Sequence, residues 1–162
     1  MTLTVLFCGS RDWIERLPIE ITMAGLVEIY GPQELLIVHG AARGADTLAG
    51  EAARRRDLPI ASFPADWNVH DREGRTAVQC HCPAEASRCR AAGPRRNQLM
   101  LEATKPGLIL GFTDDLSQSK GTRDMITRAD NAGILWWVCG RSGMVLSMPT
   151  LVLPFREPER DR

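Results

Sequence analysis

Leu35-Leu36-Ile37-Val38-His39-Gly40-Ala41-Ala42-Arg43-Gly44-Ala45-Asp46 decides the fold. Leu35 to Val38 is an unbroken apolar run, which reads as a strand buried on both faces rather than one with a wet side. It ends in a loop containing two glycines, and Ala45 to Arg56 is rich in helix-forming residues. A buried strand, a tight turn and a helix make the unit of a parallel sheet, because parallel neighbours need a helical crossover between them.

The same unit recurs outward in both directions. Leu3 to Phe7 is a strand stopping at Cys8-Gly9-Ser10, with Asp12 expected to cap a helix from Trp13 to Tyr30. Leu58 to Phe63 reads as a third strand, and after a long interruption Gly93-Pro94 opens a helix through Ala103, with Pro94 in its first turn. Gly107 to Phe112 is a fourth strand, Gly121 to Ala132 a helix closed by Asn131 and Gly133, and Ile134 to Val138 a fifth strand. The pattern predicts an α/β fold, a doubly wound parallel sheet of about five strands with helices on both faces. Met144 to Phe155 is expected to add an edge strand interrupted by Pro149, and residues 156–162 to form a disordered charged tail.

The chain has 162 residues, 44% hydrophobic and 25% charged, which suits one domain over residues 1–155. Twenty basic residues balance twenty acidic ones, so no global field draws it to nucleic acid or an anionic membrane, and neither is an expected partner. Met1 to Cys8 lacks the basic start and long apolar core of a signal peptide, so a cytoplasmic location is expected. Five cysteines in a reducing compartment argue against a disulfide framework, and no redox cofactor is expected. Trp136-Trp137 and the apolar stretch after Met144 leave a homodimer interface open.

In open α/β sheets, ligands bind beyond the carboxyl ends of the strands. The unusual residues all fall there: Gly9-Ser10-Arg11 after strand one, Gly40 to Asp46 after strand two, Arg95-Arg96-Asn97 opening the next helix, and Ser119-Lys120-Gly121-Thr122 after strand four. Amides at a helix start, the Thr122 hydroxyl and Lys120 suit an anionic oxygen, although a plain Ser/Thr-capped helix uses the same residues. The Gly-Lys-Ser/Thr order of a Walker loop is absent. Arg43 is expected to reach an anion, and Gly40 and Gly44 to let the backbone turn close beside it. Asp46 either pins that loop or accepts a ribose hydroxyl. Consecutive helical residues do not share a face, so one of Arg95 and Arg96 should point inward, with Asn97 reading a polar group.

Leu6 to Trp13, His39 to Asp46, Ala92-Gly93-Pro94-Arg95-Arg96-Asn97-Gln98-Leu99-Met100 and Ser119 to Thr122 together resemble the YspA-type branch of the SLOG superfamily. The resemblance runs from about Val5 to Val138 and implies a Rossmann-like nucleotide-binding domain. The superfamily includes lonely-guy nucleotide phosphoribohydrolases, the DNA-processing protein A that binds single-stranded DNA, and sensors of ADP-ribose-derived signals. The phosphoribohydrolase motif Pro-Gly-Gly-x-Gly-Thr-x-x-Glu matches at Gly121-Thr122, with Arg95 or Arg96 as its Arg, but its Glu falls at Met125. Methionine neither stabilises an oxocarbenium-like centre nor activates water. Asp124, or else Asp46, would have to replace that acid, with Arg95 as its catalytic companion.

Residues 67–92 form a long insertion that something should order. A structural Zn²⁺ held by Cys80, Cys82 and Cys89, with His70 or His81 as fourth ligand, would do so, since closed Cys₃His sites are structural. The Cys-x-Cys spacing is tighter than the usual Cys-x₂-Cys, and a flexible loop with unliganded thiols is the alternative. His39 reads as a hydrogen-bonded structural residue. The first functional expectation is binding of a nucleotide or ADP-ribose-like phosphorylated ligand, as a sensor or sequestering domain. The second is an N-glycosidic hydrolase of nucleoside monophosphates, and the third an accessory protein acting through a macromolecular partner.

Overall fold

The structure is a computed structural model that describes residues 2–76 and 78–148. β1 (Leu3–Gly9), α1 (Arg16–Tyr30), β2 (Leu35–His39), α2 (Ala45–Arg54), β3 (Ile60–Ser62), α3 (Ala92–Thr104), β4 (Leu108–Phe112), α4 (Lys120–Asn131), β5 (Leu135–Cys139) and β6 (Val145–Ser147) follow in chain order. The sheet order is β3-β2-β1-β4-β5-β6, with the first five strands parallel and β6 antiparallel to β5. Leu6 sits between Val38 of β2 and Ile109 of β4 at the centre.

The apolar runs split by parity onto two cores, which is why they show no polar alternation. Val5, Phe7, Leu35, Ile37, Leu108, Leu110 and Phe112 face α1 and α2, packing on Ile19, Met23, Ala49 and Ala53. Leu6, Cys8, Val38, Ile109, Trp136 and Val138 face α3 and α4, packing on Met100, Met125, Ile126 and Ala129. Crossovers in parallel sheets are right-handed, so reversing direction across the sheet puts the later helices on the opposite face. From β1 the chain winds outward through β2 and β3, then returns to β4 and winds the other way. The loops after β1 and β4 therefore diverge, and a crevice opens between them.

Two glycines make the junction under that crevice. A Cβ on Gly9 would lie 2.4 Å from the Phe112 carbonyl oxygen and 2.5 Å from the Ala45 Cβ, so β1, β4 and α2 meet at van der Waals limit there. Gly44 has φ +81° and ψ −127°, and a Cβ on it would lie 2.3 Å from the Ser10 carbonyl oxygen. The amide of Ala45 donates to that same oxygen at 3.2 Å, tying the start of α2 to the end of β1.

Helix α1 starts at Arg16, three residues later than expected, and Asp12 does not cap it. The amide of Asp12 bonds the Ser10 hydroxyl at 3.2 Å and the amide of Trp13 the Ser10 carbonyl at 3.2 Å, forming a turn instead. Trp13 then folds inward, its ring edge-on to Phe112 with centroids 5.8 Å apart and its Nε1 donating to the Glu15 carbonyl at 2.7 Å. The expected edge strand is present as β6, while its extension past Met148, Pro149 and the charged tail lie outside the described residues. Among the described residues no helix is long and apolar enough to cross a membrane.

Candidate functional site

The crevice is a cleft of about 530 Å³, within the range of small-molecule sites, and lies at the switch point between β1 and β4. Gly9, Ser10 and Arg11, then Arg43 and Asp46, then Asn97, then Ser119, Lys120, Gly121 and Thr122 all line it. Residues from four sequence segments thus converge, whereas Gly40 and Gly44, also expected at the ligand, are not in its lining; Gly40 lines an adjoining groove instead.

One side is the start of α4. The hydroxyls of Ser119 and Thr122 bond each other at 2.7 Å, and Ser119 makes no side-chain cap bond to the helix. A Cβ on Gly121 would meet nothing within 4 Å, so the first turn faces open space with its dipole positive end toward the cleft. Thr122 itself is buried.

The opposite side is a polar chain centred on Arg96. Its NH1 donates to the carbonyls of Gly40 and Phe63, the latter at 3.2 Å, and stands 4.0 Å from Asp46 Oδ2. Arg96 Nε donates to Asn97 Oδ1 at 3.0 Å, and Asn97 Nδ2 donates to the Gly121 carbonyl at 3.2 Å and Asp124 Oδ2 at 2.8 Å. Arg128 Nε also donates to that carboxylate at 2.9 Å. Asn97 therefore braces α3 against α4 across the back of the cleft. Met125 is fully buried among Leu6 and Ile109, so the position of the phosphoribohydrolase Glu is a core position here.

Asp46 pins the loop after β2. Its Oδ2 accepts from the amides of Gly40 at 2.9 Å and Ala42 at 3.4 Å. Burial pushes its carboxyl up to about 6, with Arg96, those two amides and Arg11 pulling the other way. The folded state then holds this proton more tightly than the unfolded chain, so Asp46 favours folding at low pH and loses that contribution as pH rises from about 4 to 6. In an Asp46→Asn variant this component of the slope should vanish. Urea midpoints of the two proteins compared across that interval check it, and parallel curves would contradict it.

Arg95 is a correction: it does not enter the cleft. Its NH2 donates to the Val69 carbonyl at 2.7 Å and lies 3.7 Å from Cys89 Sγ, on the insertion side of α3. The inward residue is Arg96. Arg43 is exposed at the rim, paired with Asp12 at 2.8 Å. His39 is buried outside the cleft lining, its Nδ1 accepting from the Ala41 amide at 3.1 Å, and burial lowers its basicity first of all.

In the insertion, one ligand atom each from His70, Cys80, Cys82 and Cys89 lies within 4.8 Å of the others, and this cluster can hold a metal ion. His70 Nδ1 is 3.4 Å from Cys80 Sγ, whereas His81 is outside the group, so of the two histidines His70 is the one that stands with the thiols. Backbone amides of Cys82 and Arg90 donate to Cys80 Sγ at 3.3 Å and Cys82 Sγ at 3.2 Å, the type of contact that stabilises thiolates. The cluster abuts the cleft: Cys89 N donates to the Trp67 carbonyl at 2.7 Å, and both Trp67 and Arg90 line the cleft. Sequence reasoning overlooked Trp67 and Arg90 as cleft-lining residues, although both were visible at the ends of the insertion.

The family model described as YspA, cpYpsA-related SLOG family matches residues 3–70. The Gene 61 protein of Mycobacterium phage D29 is 30% identical over 136 residues, covering 80% of this chain and 90% of that protein. DNA processing protein A (DprA) of Streptococcus pneumoniae superposes with a TM-score of 0.60 at 20% identity, over 85% of this chain and 50% of that one. MurG of Acinetobacter baumannii gives a TM-score of 0.48 at 11% identity, over 85% of this chain and 35% of its own. With the β1 and β2 loops inside the matched segment, and a doubly wound sheet around them, the chain belongs to the YspA, cpYpsA-related SLOG family.

Proposed function

We propose that this protein binds a nucleotide or ADP-ribose-like phosphorylated ligand in the cleft, as a cytoplasmic sensor or sequestering domain. The observation that carries this is the open first turn of α4, with Lys120 on it, lining a cleft of about 530 Å³ together with Arg96 and Asn97. Helix amides and the dipole favour a phosphate oxygen there, and the Ser119–Thr122 hydroxyl pair offers a further donor. A small molecule fits better than a nucleic acid, since the formal charge of the chain is +0.

Hydrolysis is disfavoured by two placements. Met125 is in the core, and Asp124 is already occupied by Asn97 and Arg128. Arg128 holds the Asp124 carboxylate from its own helix, which suits bracing rather than proton transfer.

A thermal-shift series against phosphate, AMP, GMP, ADP-ribose and NAD tests the binding reading, because a ligand bound by the folded state alone raises the melting temperature. A rise that needs the whole nucleotide is expected; no rise with any of them, in folded protein, overturns the reading and favours action through a macromolecular partner. Base release from AMP that disappears in Asp124→Asn would instead establish the N-glycosidic hydrolase. No release is expected from either protein.

We further propose that the metal of the His70, Cys80, Cys82, Cys89 cluster is structural Zn²⁺. Three thiolates and an imidazole fill a tetrahedral shell, leaving no open position for substrate.

A further inference from the structure

A second groove of about 490 Å³ adjoins the cleft on the far side of Trp67. It shares Arg11, Arg43, Trp67 and Arg96 with the cleft and adds Arg88. Four arginines line it and no carboxylate does. Two of the four are matched elsewhere, Arg43 by Asp12 and Arg96 by Asp46. Among the described residues neither Arg11 nor Arg88 forms a close ion pair, and Arg11 acts on Asp46 only at longer range. Their guanidinium carbons lie instead 5.3 Å and 5.0 Å from the centroid of the same indole, that of Trp67.

Two like charges gathered on one ring repel, and a cation–π contact at an exposed site returns only about 0.5–1 kcal/mol. An anion in the groove that both line reverses the balance. Arginine is also the side chain whose planar fork takes two oxygens of one phosphate at once. Arg88 is next to Cys89, and the Cys89 amide is bonded to the Trp67 carbonyl, so the metal cluster fixes both the ring and one of its arginines.

We infer that Arg11 and Arg88, gathered on Trp67, form a second anion subsite, so that the ligand carries two phosphates on one small molecule, one at the start of α4 and one here. This rests on the cleft reading above for the first phosphate. The class is a pyrophosphate-bridged nucleotide, whose two phosphates reach both subsites at once. AMP, with one phosphate, fills half of the site.

The subsite is tested first without any nucleotide. Inorganic pyrophosphate is titrated into ¹⁵N-labelled protein while the arginine Nε–H resonances are followed, with Arg11→Gln and Arg88→Gln identifying two of them. Saturable shifts at Arg11 and Arg88, with none at Arg16, whose guanidinium is held by Glu51, are expected. Absence of a saturable shift, or an equal response at Arg16, overturns the subsite. Affinities of AMP and ADP-ribose are then compared in the wild-type protein and in Arg88→Gln, with metal content and melting temperature confirming the variant is folded. Arg88→Gln should weaken ADP-ribose about tenfold more than AMP, a difference of about 1.4 kcal/mol. Equal losses overturn the two-phosphate ligand. If neither nucleotide binds the wild-type protein, the cleft reading falls while the pyrophosphate result still decides the subsite. A single-stranded oligonucleotide binding more tightly than ADP-ribose overturns the small-molecule class.

Discussion

Cys89→Ser protein should emerge from purification without its metal and with the 67–91 segment open to protease, while the sheet stays folded. Cys89 is fully buried and belongs to a small separate cluster with Cys80 and Ala92, against which Ala65, Trp67, Cys82 and Ala91 are partly packed. So little apolar burial does not offset the ordering entropy of a connection this long, at roughly 1–2 kcal/mol per residue for the backbone alone. Zinc binding to small peptides is worth about 10–16 kcal/mol, a large contribution against that cost. Metal content by mass spectrometry and limited proteolysis read the two halves of the expectation. His81→Ala is the matched control, because His81 is exposed and outside the cluster; it should keep full metal. Equal loss from both variants, or stoichiometric metal retained by Cys89→Ser, would refute the assigned ligand set.

Gly44→Ala should cost about 3 kcal/mol or more in folding stability, the sum of backbone strain near 1–3 kcal/mol and overpacking of similar size. At φ +81° and ψ −127° the backbone occupies a region that side-chain-bearing residues avoid, and the added methyl would meet the carbonyls of Ser10 and Arg11 at 2.3 Å and 2.6 Å. Moving away would break the Ala45–Ser10 bond that joins α2 to β1. Gly121→Ala is the contrast: nothing lies within 4 Å and φ is not positive, so its stability should change by less than about 1 kcal/mol. Urea unfolding of the two variants side by side measures the difference. Similar midpoints would mean the β1–α2 junction yields more readily than its geometry implies.

The sheet and its helices were legible because the central strands are largely apolar runs and several of the turns carry glycine. What escaped the sequence was decided by contacts between distant segments. Trp13 looks like a helix residue until the Phe112 ring gives it a place to fold inward, which delays α1. Arg95 and Arg96 are neighbours with the same chemistry, and the Gly40 and Phe63 carbonyls select the second for the cleft. His70 and His81 are equally able ligands, and only the path of the insertion brings His70 to Cys80. The convergence of the Gly9, Gly40, Asn97 and Ser119 segments was legible for a different reason: the topology of a parallel sheet collects every post-strand loop at one edge.

Among the described residues the sheet ends on both sides in a strand of three residues, β3 and β6. A rim that short exposes few unpaired backbone donors and acceptors, so it is a poor template for another chain to extend. Growth by strand addition is thereby discouraged at both margins, although the strands between them are almost wholly apolar. Exposed apolar surface stands instead in side chains: Ile14, Leu17 and Ile21 along α1 and the turn before it, and Val145 and Leu146 on β6.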